Sequence, residues 1–99
     1  MEIDVQLTSE TIAGKISPPV APDATGAWLE FCGVVRGQED GKSIFALEYE
    51  AYPEMAVREI RRLLENISAQ HPCQVARVIH RLGIVPVGAA AIYLSLIHI

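Results

Sequence analysis

The sequence predicts an α+β fold with an antiparallel sheet and one main packed helix. Segments in which apolar and polar residues alternate, as they do in half-buried strands, lie on both sides of one segment with helical spacing. The chain of 99 residues is 51% hydrophobic and 20% charged, a globular composition that suits one shared core. We therefore expect residues 1–99 to form a single domain with the element order β, irregular, β, β, α, β, β.

The first quarter of the chain combines a strand with irregular structure. Residues 2–7 alternate polar and apolar side chains, which predicts a short half-buried strand. Residues 8–16 fit one or two helical turns, with Thr11 among the candidate caps. The prolines of the following segment remove backbone donors and restrict the residues before them, so residues 17–23 are predicted to form a loop.

Two strand-like segments flank a polar turn that contains two glycines. Residues 26–36 and 43–52 alternate, and residues 37–42 read Gly-Gln-Glu-Asp-Gly-Lys between them. This pattern predicts an antiparallel hairpin made of the two strands. The glycines are one residue too close together for a phosphate-binding P-loop, and a strand follows where that loop needs a helix, so a hairpin turn is favoured.

The segment from Pro53 to the His71-Pro72 pair has the clearest helical pattern. Proline suits the first helical turn, apolar residues then recur at helical spacing, and the second proline ends the helix. Residues 73–85 return to strand-like alternation, and residues 89–99 are apolar enough for a buried central strand. Strands on both sides of one helix complete the α+β pattern.

Charge and cysteine content exclude several classes of protein. The net charge of −4 repels phosphate backbones, which disfavours nucleic-acid binding. The acidic start lacks the pattern of a secretory signal, and no apolar run is long enough for a membrane span. Cys32 and Cys73 have no CxxC spacing, so we expect both to be reduced and buried in a cytoplasmic protein. The three histidines also lack the spacing of metal ligands.

Arg36 and His80 are the side chains that invite a functional interpretation. Arg36 ends an apolar strand before the glycine turn, where a guanidinium can bind a phosphate or carboxylate through paired donors. The alternative is a surface arginine paired with Glu48 or Glu50 across the hairpin. His80 and Arg81 are adjacent on a strand and point to opposite sides, which favours a structural histidine over a catalytic base.

Three blocks of sequence, taken together, resemble the large (catalytic) subunit family of molybdopterin synthase. Residues 26–36 fit G-A-x-x-x-F-x-G-x-V-R, residues 47–56 fit L-x-Y-E-x-Y-x-x-M-A, and residues 78–88 fit V-x-H-R-x-G-x-x-x-x-G. The blocks follow one another in the family's order and at its separations. They cover most of the stretch from 26 to 94, whereas residues 1–25 match only loosely.

The resemblance implies an α/β-hammerhead fold and a sulfurtransferase activity in molybdenum cofactor biosynthesis. The family moves sulfur from the C-terminal Gly-Gly thiocarboxylate of a small ubiquitin-like sulfur-carrier subunit to cyclic pyranopterin monophosphate, which creates the dithiolene of molybdopterin. The implied partners are that small subunit and a second large subunit in a homodimer, and together they form a heterotetramer. No metal or other cofactor takes part in the transfer itself. The implied substrate-binding residues are Val34, Val35 and Arg36, with Arg36 holding the anion.

The C-terminal part of the chain departs from the family pattern. After its last strand the family continues with a His-Arg pair, a further helix and a segment that carries essential lysines. Here His98 falls one or two positions short of the family histidine, and neither Lys15 nor Lys42 matches the catalytic lysines. We therefore assign no catalytic residue, expect the domain to be C-terminally incomplete at Ile99, and predict that this chain alone is inactive.

A second interpretation belongs to a different class of protein, a non-catalytic ferredoxin-like module that binds a ligand or dimerises. Such a module would ignore a Gly-Gly tail, so binding of the small ubiquitin-like subunit distinguishes the two. An RNA-binding sheet of the RRM type is disfavoured, because the chain is acidic and its exposed strand face offers only Trp28 for base stacking.

Overall fold

The computed structural model describes residues 2–16 and 25–98 and shows a mixed sheet with one long helix. The strands are β1 (Glu2–Thr8), β2 (Ala27–Val34), β3 (Gln38–Glu39), β4 (Lys42–Ser43), β5 (Ala46–Tyr49), β6 (Val75–Arg81), β7 (Gly83–Pro86) and β8 (Ala90–His98). The helices are a 3₁₀ helix (Ile12–Lys15) and α1 (Pro53–Gln70). The α+β prediction is confirmed, and the loop predicted at residues 17–23 lies outside the described residues.

The main sheet has four strands in the order β1-β6-β8-β2. β8 pairs antiparallel with both β6 and β2, which confirms the predicted central strand. β1, however, pairs parallel with β6, so the prediction of a purely antiparallel sheet is wrong at this edge. A parallel pair needs a long connection, and most of the chain lies between these two strands.

The predicted hairpin between residues 26–36 and 43–52 is wrong in its strand partners. β2 pairs with β8, and β5 pairs with β7 in a separate two-stranded sheet. The turn between them forms its own short hairpin, β3–β4, around Asp40 and Gly41, whose φ angles are 51° and 77°. Two positive φ angles are typical of a type I′ turn, so the prediction of a hairpin turn rather than a P-loop is confirmed.

The single strand predicted at residues 73–85 is divided into β6 and β7. The break falls at Leu82 and Gly83, and Gly83 has a φ of 84°, which a side chain would strain. The Leu82 N–H donates to the carbonyl of Thr8 at 2.7 Å, so the chain leaves the main sheet at the end of β1. The change of direction brings β7 to β5 and places both beside the main sheet.

The buried core is divided into two clusters. One joins Ile12 of the 3₁₀ helix to Ile79 and Tyr93 on the main sheet. The other consists of Val35, Val85 and Ala91, with Tyr49 and Ala89 packed against it. The second cluster connects β5 and β7 to the main sheet, and it lies under the segment that carries Arg36.

Helix α1 lies on the face of the main sheet opposite to Ile79 and Tyr93 and covers that face only in part. It lies against β1, yet none of its residues is buried, and Leu63 and Ile67 are 48% and 56% exposed. A largely apolar cavity of about 190 Å³ separates the second half of α1 from β2 and β8. The predicted helix is therefore present at the expected position, but its apolar face is only half covered.

The burial of the two cysteines differs from the prediction. Cys32 is exposed on β2, an edge strand, and Cys73 is half-buried before β6. The alternation of β2 does not reveal that neither of its faces is fully covered. In the described part of the chain, no helix has both the length and the apolar character that crossing a bilayer requires.

Candidate functional site

The backbone that presents Arg36 is held by hydrogen bonds from a neighbouring turn. The N–H of Val35 donates to the carbonyl of Ala89 at 3.1 Å, and the carbonyl of Val35 accepts from Gly88 at 2.8 Å. Gly88 has a φ of 85°, a conformation that glycine adopts without strain. The side chain of Val35 is only 2% exposed. The backbone at Arg36 is therefore held in a fixed position above the second core cluster.

A change of register at the end of β2 turns the chain towards Arg36. Gly33 pairs with Ile92 whereas Val34 pairs with Ala90, which leaves one residue of β8 unpaired in a bulge. A Cβ atom on Gly33 would lie 2.7 Å from Cγ2 of Ile92, so the close approach of the strands requires glycine at this position. Of the three predicted substrate-binding residues, Val34 and Arg36 are exposed and Val35 is buried.

The guanidinium of Arg36 forms a bidentate ion pair with Glu39. Its Nε donates to Oε2 and its Nη2 donates to Oε1, both at 2.8 Å. The pairing with Glu48 or Glu50 considered from the sequence is wrong, because β5 does not pair with the strand that carries Arg36. Both partners are accessible, with side-chain exposures of 73% for Arg36 and 48% for Glu39. The geometry shows that Arg36 can present two parallel donors to an oxyanion.

The β3–β4 hairpin places Lys42 beside this ion pair. Glu39 and Lys42 are direct partners across the hairpin, so their side chains leave it on the same face. Glu39 is thus the ion-pair partner of Arg36 and the cross-strand partner of Lys42. Neither Glu39 nor Lys42 was predicted from the sequence to lie near Arg36. The signal was the Asp40-Gly41 pair, which favours a two-residue turn and thereby fixes which residues lie opposite each other.

His80 connects β6 to β5 and lies apart from Arg36. Its Nδ1 is 2.8 Å from the carbonyl of Arg81, and because a carbonyl only accepts, Nδ1 carries the proton. Its ring meets the ring of Tyr49 edge-on, with centroids 5.2 Å apart. A cavity of about 130 Å³ adjoins both rings and does not include Arg36. These contacts agree with the structural role expected for His80.

A set of hydrogen-bonded polar side chains lies on the face of the main sheet that α1 does not cover. The hydroxyl of Tyr93 donates to the carboxylate of Glu30, and the indole N–H of Trp28 donates to Oγ of Ser95 at 3.0 Å. Burial and then the hydrogen bond to Glu30 raise the pKa of Tyr93 above its ordinary value. The neutral phenol is therefore favoured, which suits a structural contact rather than an acid or base.

Metal-ligating side chains do not come together in the part of the chain that the structure covers. Among residues 2–16 and 25–98, no group of three or more His, Cys, Asp or Glu side chains is arranged to hold a metal ion.

The sequence matches one protein family along most of its length. The profile of the MoaE protein family matches residues 3–97. The chain is 39% identical over 88 residues to the molybdopterin synthase catalytic subunit of Rattus norvegicus. That alignment covers 88% of this chain and 44% of the rat protein, so the chain spans less than half the length of this relative.

Solved structures share the fold. Molybdopterin synthase from Staphylococcus aureus superposes with a TM-score of 0.79 at 24% identity, over 94% of this chain and 69% of that one. A complex of subunits 1 and 2 of molybdopterin-converting factor from Helicobacter pylori gives a TM-score of 0.62 at 18% identity, over 97% of this chain and 64% of that one. The family profile, the rat relative and these folds agree with the three sequence blocks. The chain belongs to the MoaE protein family.

Proposed function

We propose that this chain acts in molybdenum cofactor biosynthesis as part of a molybdopterin synthase catalytic subunit. The reaction is the transfer of sulfur from a thiocarboxylated small subunit to cyclic pyranopterin monophosphate, which yields the dithiolene of molybdopterin. Family membership supports this proposal, because the profile match covers residues 3–97 and the rat relative is a molybdopterin synthase catalytic subunit. We propose a cytoplasmic setting, with which two cysteines that lack CxxC spacing agree.

The bidentate geometry of Arg36 is the observation that carries the proposal. We assign the cyclic phosphate of the substrate to Arg36, which already displays two parallel donors at 2.8 Å to a carboxylate. Val34 contributes exposed apolar surface beside it, and Val35 anchors the backbone below it. A fixed, two-donor cation orients an anionic substrate before sulfur attacks, and it stabilises negative charge as the reaction proceeds.

The proposed assembly contains a second protein that donates the sulfur. We propose a small ubiquitin-like carrier as that partner, supported by the two-subunit complex from Helicobacter pylori whose fold is shared, and a second copy of this chain as a dimer partner. Neither of the chain's two lysines, Lys15 and Lys42, matches the catalytic lysines of the family. We therefore propose that this chain binds substrate without turning it over by itself.

The decisive experiment measures binding of inorganic phosphate and of cyclic pyranopterin monophosphate to the wild type, Arg36→Ala and Arg36→Lys. We expect Arg36→Ala to weaken binding of both by about tenfold or more, the loss of a charge-assisted bidentate contact. Arg36→Lys keeps the charge but not the fork, so its affinity falls in between. Arg58→Ala, an exposed arginine on α1, is the matched control and leaves binding unchanged. Unaltered affinity in Arg36→Ala places the substrate site elsewhere.

A pull-down with the small subunit tests the proposed class of protein. The chain retains the thiocarboxylated or carboxylated carrier if it is part of a synthase. A ferredoxin-like dimerisation module would instead self-associate and leave the carrier in the supernatant. Deleting the Gly-Gly end of the carrier is the control, and retention that survives this deletion contradicts recognition of the tail.

A further inference from the structure

We infer that Glu39 is an exchangeable internal anion that fills the oxyanion site of Arg36 when no ligand is bound, and that Lys42 is the second cation of that site. The ligand that displaces Glu39 is a phosphate group. This inference rests on the proposed function, since it takes Arg36 as the substrate-binding residue. It goes further by naming a competitor within the chain and an additional binding residue.

The carboxylate of Glu39 uses the same donors that a phosphate would use. Nε and Nη2 of Arg36 point at its two oxygens with equal distances of 2.8 Å. Two oxygens of a phosphate can accept from the same pair of parallel N–H groups. The two anions therefore compete for one side of the guanidinium, and binding of phosphate requires that Glu39 move away.

Glu39 is held weakly enough to be displaced. The side chains of Arg36 and Glu39 are 73% and 48% exposed, and ion pairs between exposed side chains contribute little to stability. Inorganic phosphate carries between about one and two negative charges at neutral pH, whereas the cyclic phosphate of the proposed substrate, a diester, carries one, as a carboxylate does. Charge therefore favours exchange of the carboxylate for inorganic phosphate, and the cyclic phosphate displaces Glu39 by its concentration.

The hairpin explains why departure of Glu39 creates a site with two cations. The type I′ turn at Asp40 and Gly41 sets Lys42 directly opposite Glu39, and side chains of such partners start from Cβ atoms about 4.5–5.5 Å apart. With Glu39 in place, its carboxylate is the ion-pair partner of Arg36, and its backbone is paired with that of Lys42. When the carboxylate swings out, the positive charges of Arg36 and Lys42 face the same space, which a phosphate can occupy.

The experiment is a phosphate titration of the full chain followed by NMR at the Arg36 Nε–H. Glu39→Gln removes the competing charge and keeps the size of the side chain. We expect it to bind phosphate about threefold to fivefold more tightly than the wild type, the factor that a surface ion pair supplies. The matched control is Glu59→Gln, since Glu59 forms the same bidentate pair with Arg62, three residues away on α1. This control leaves phosphate binding unchanged.

A second substitution tests Lys42. In the Glu39→Gln background, Lys42→Ala lowers phosphate affinity about threefold and reduces its dependence on salt, because one cationic contact is lost. Phosphate affinity that is unchanged or reduced in Glu39→Gln overturns the inference, since Glu39 would then orient Arg36 or play no part. An unchanged affinity in Lys42→Ala overturns the role of Lys42.

Two further results separate this inference from the proposed function and from another ligand. If Arg36→Ala abolishes phosphate binding while Glu39→Gln does not strengthen it, the proposed function stands and only the exchange is wrong. If Arg36→Ala has no effect, the site itself is wrong. Acetyl-glycylglycine is titrated in parallel as a stand-in for a carboxylate tail. If Glu39→Gln binds this peptide more tightly than the wild type does but binds phosphate no more tightly, the assignment of phosphate as the displacing ligand is overturned.

Discussion

At the residue scale, the burial of Tyr93 changes the pKa of its hydroxyl. Its side chain is only 3% exposed, and its hydroxyl donates to the carboxylate of Glu30. Burial, with that hydrogen bond as the second cause, raises the pKa of Tyr93 above its ordinary value. The folded protein therefore holds the phenolic proton more firmly than the unfolded chain does, and the excess stabilises the folded state.

This shift predicts a loss of stability at alkaline pH. A pKa that is raised on folding contributes stability that is complete below the unfolded pKa, about 10 for tyrosine, and that is lost as the pH rises through the folded value. We expect the free energy of unfolding in urea to fall across that range and to fall less steeply in Tyr93→Phe. Tyr52→Phe is the control, because Tyr52 is 80% exposed. An equal fall in the wild type and Tyr93→Phe contradicts the prediction.

The partner of Arg36 illustrates what the sequence could not reveal about single side chains. Spacing identified Arg36 as a candidate at the end of a strand, and in the structure it is exposed and lies two residues beyond the end of β2. The carboxylate that it meets depends on the path of the backbone after Gly37, which is fixed by the turn at Asp40 and Gly41. The sequence predicted a hairpin between residues 26–36 and 43–52 instead. Glu48 and Glu50 were therefore considered as partners of Arg36, and Glu39 was not.

At the scale of an element, the turn at Pro86–Gly88 fixes the position of the Arg36 backbone above the second core cluster. Gly88 has a φ of 85°, which costs an L-residue about 1–2 kcal/mol. We expect Gly88→Ala to lower the free energy of unfolding by that amount, and to weaken phosphate binding because Gly88 donates to Val35. Chemical denaturation and a phosphate titration measure the two effects.

Gly14 provides the matched control for this substitution. An added Cβ meets nothing within 4 Å at either glycine, but Gly88 has a positive φ and Gly14 does not. Gly14→Ala therefore keeps the native stability or raises it by about 0.4–1 kcal/mol, through the restricted unfolded chain. Equal losses in both variants would show that backbone strain at Gly88 is not the cause.

Elements were predicted more accurately than their partners. The alternation in β1, β2 and β6 and the helical spacing in α1 depend on local sequence, and each of these elements forms near its predicted position. Pairing depends on which strands can share a buried face, and that information is distributed over the whole chain. β2 and β5 therefore do not pair with each other, and each pairs with a strand that follows α1 in the sequence.

At the scale of the whole molecule, the two core clusters predict additive losses of stability. Ile79 and Val85 are fully buried, belong to different clusters and share no cluster member. We expect Ile79→Val to lower the free energy of unfolding by about 1 kcal/mol and Val85→Ala by about 2 kcal/mol. The double variant should lose the sum of the two, as measured by urea denaturation. A coupling energy well above about 0.5 kcal/mol would show that the clusters act as one core.

The position of β8 determines when this protein can fold during its synthesis. β8 is one of the two inner strands of the main sheet and pairs with β2 and β6, yet it is translated after both of them. A nascent chain emerging from the ribosome therefore leaves the backbone of β2 without its partner strand throughout the synthesis of the helix and of β6. Long-range pairing of this kind folds slowly and leaves the intermediate prone to aggregation. Chaperones that bind nascent chains would find their target in β2.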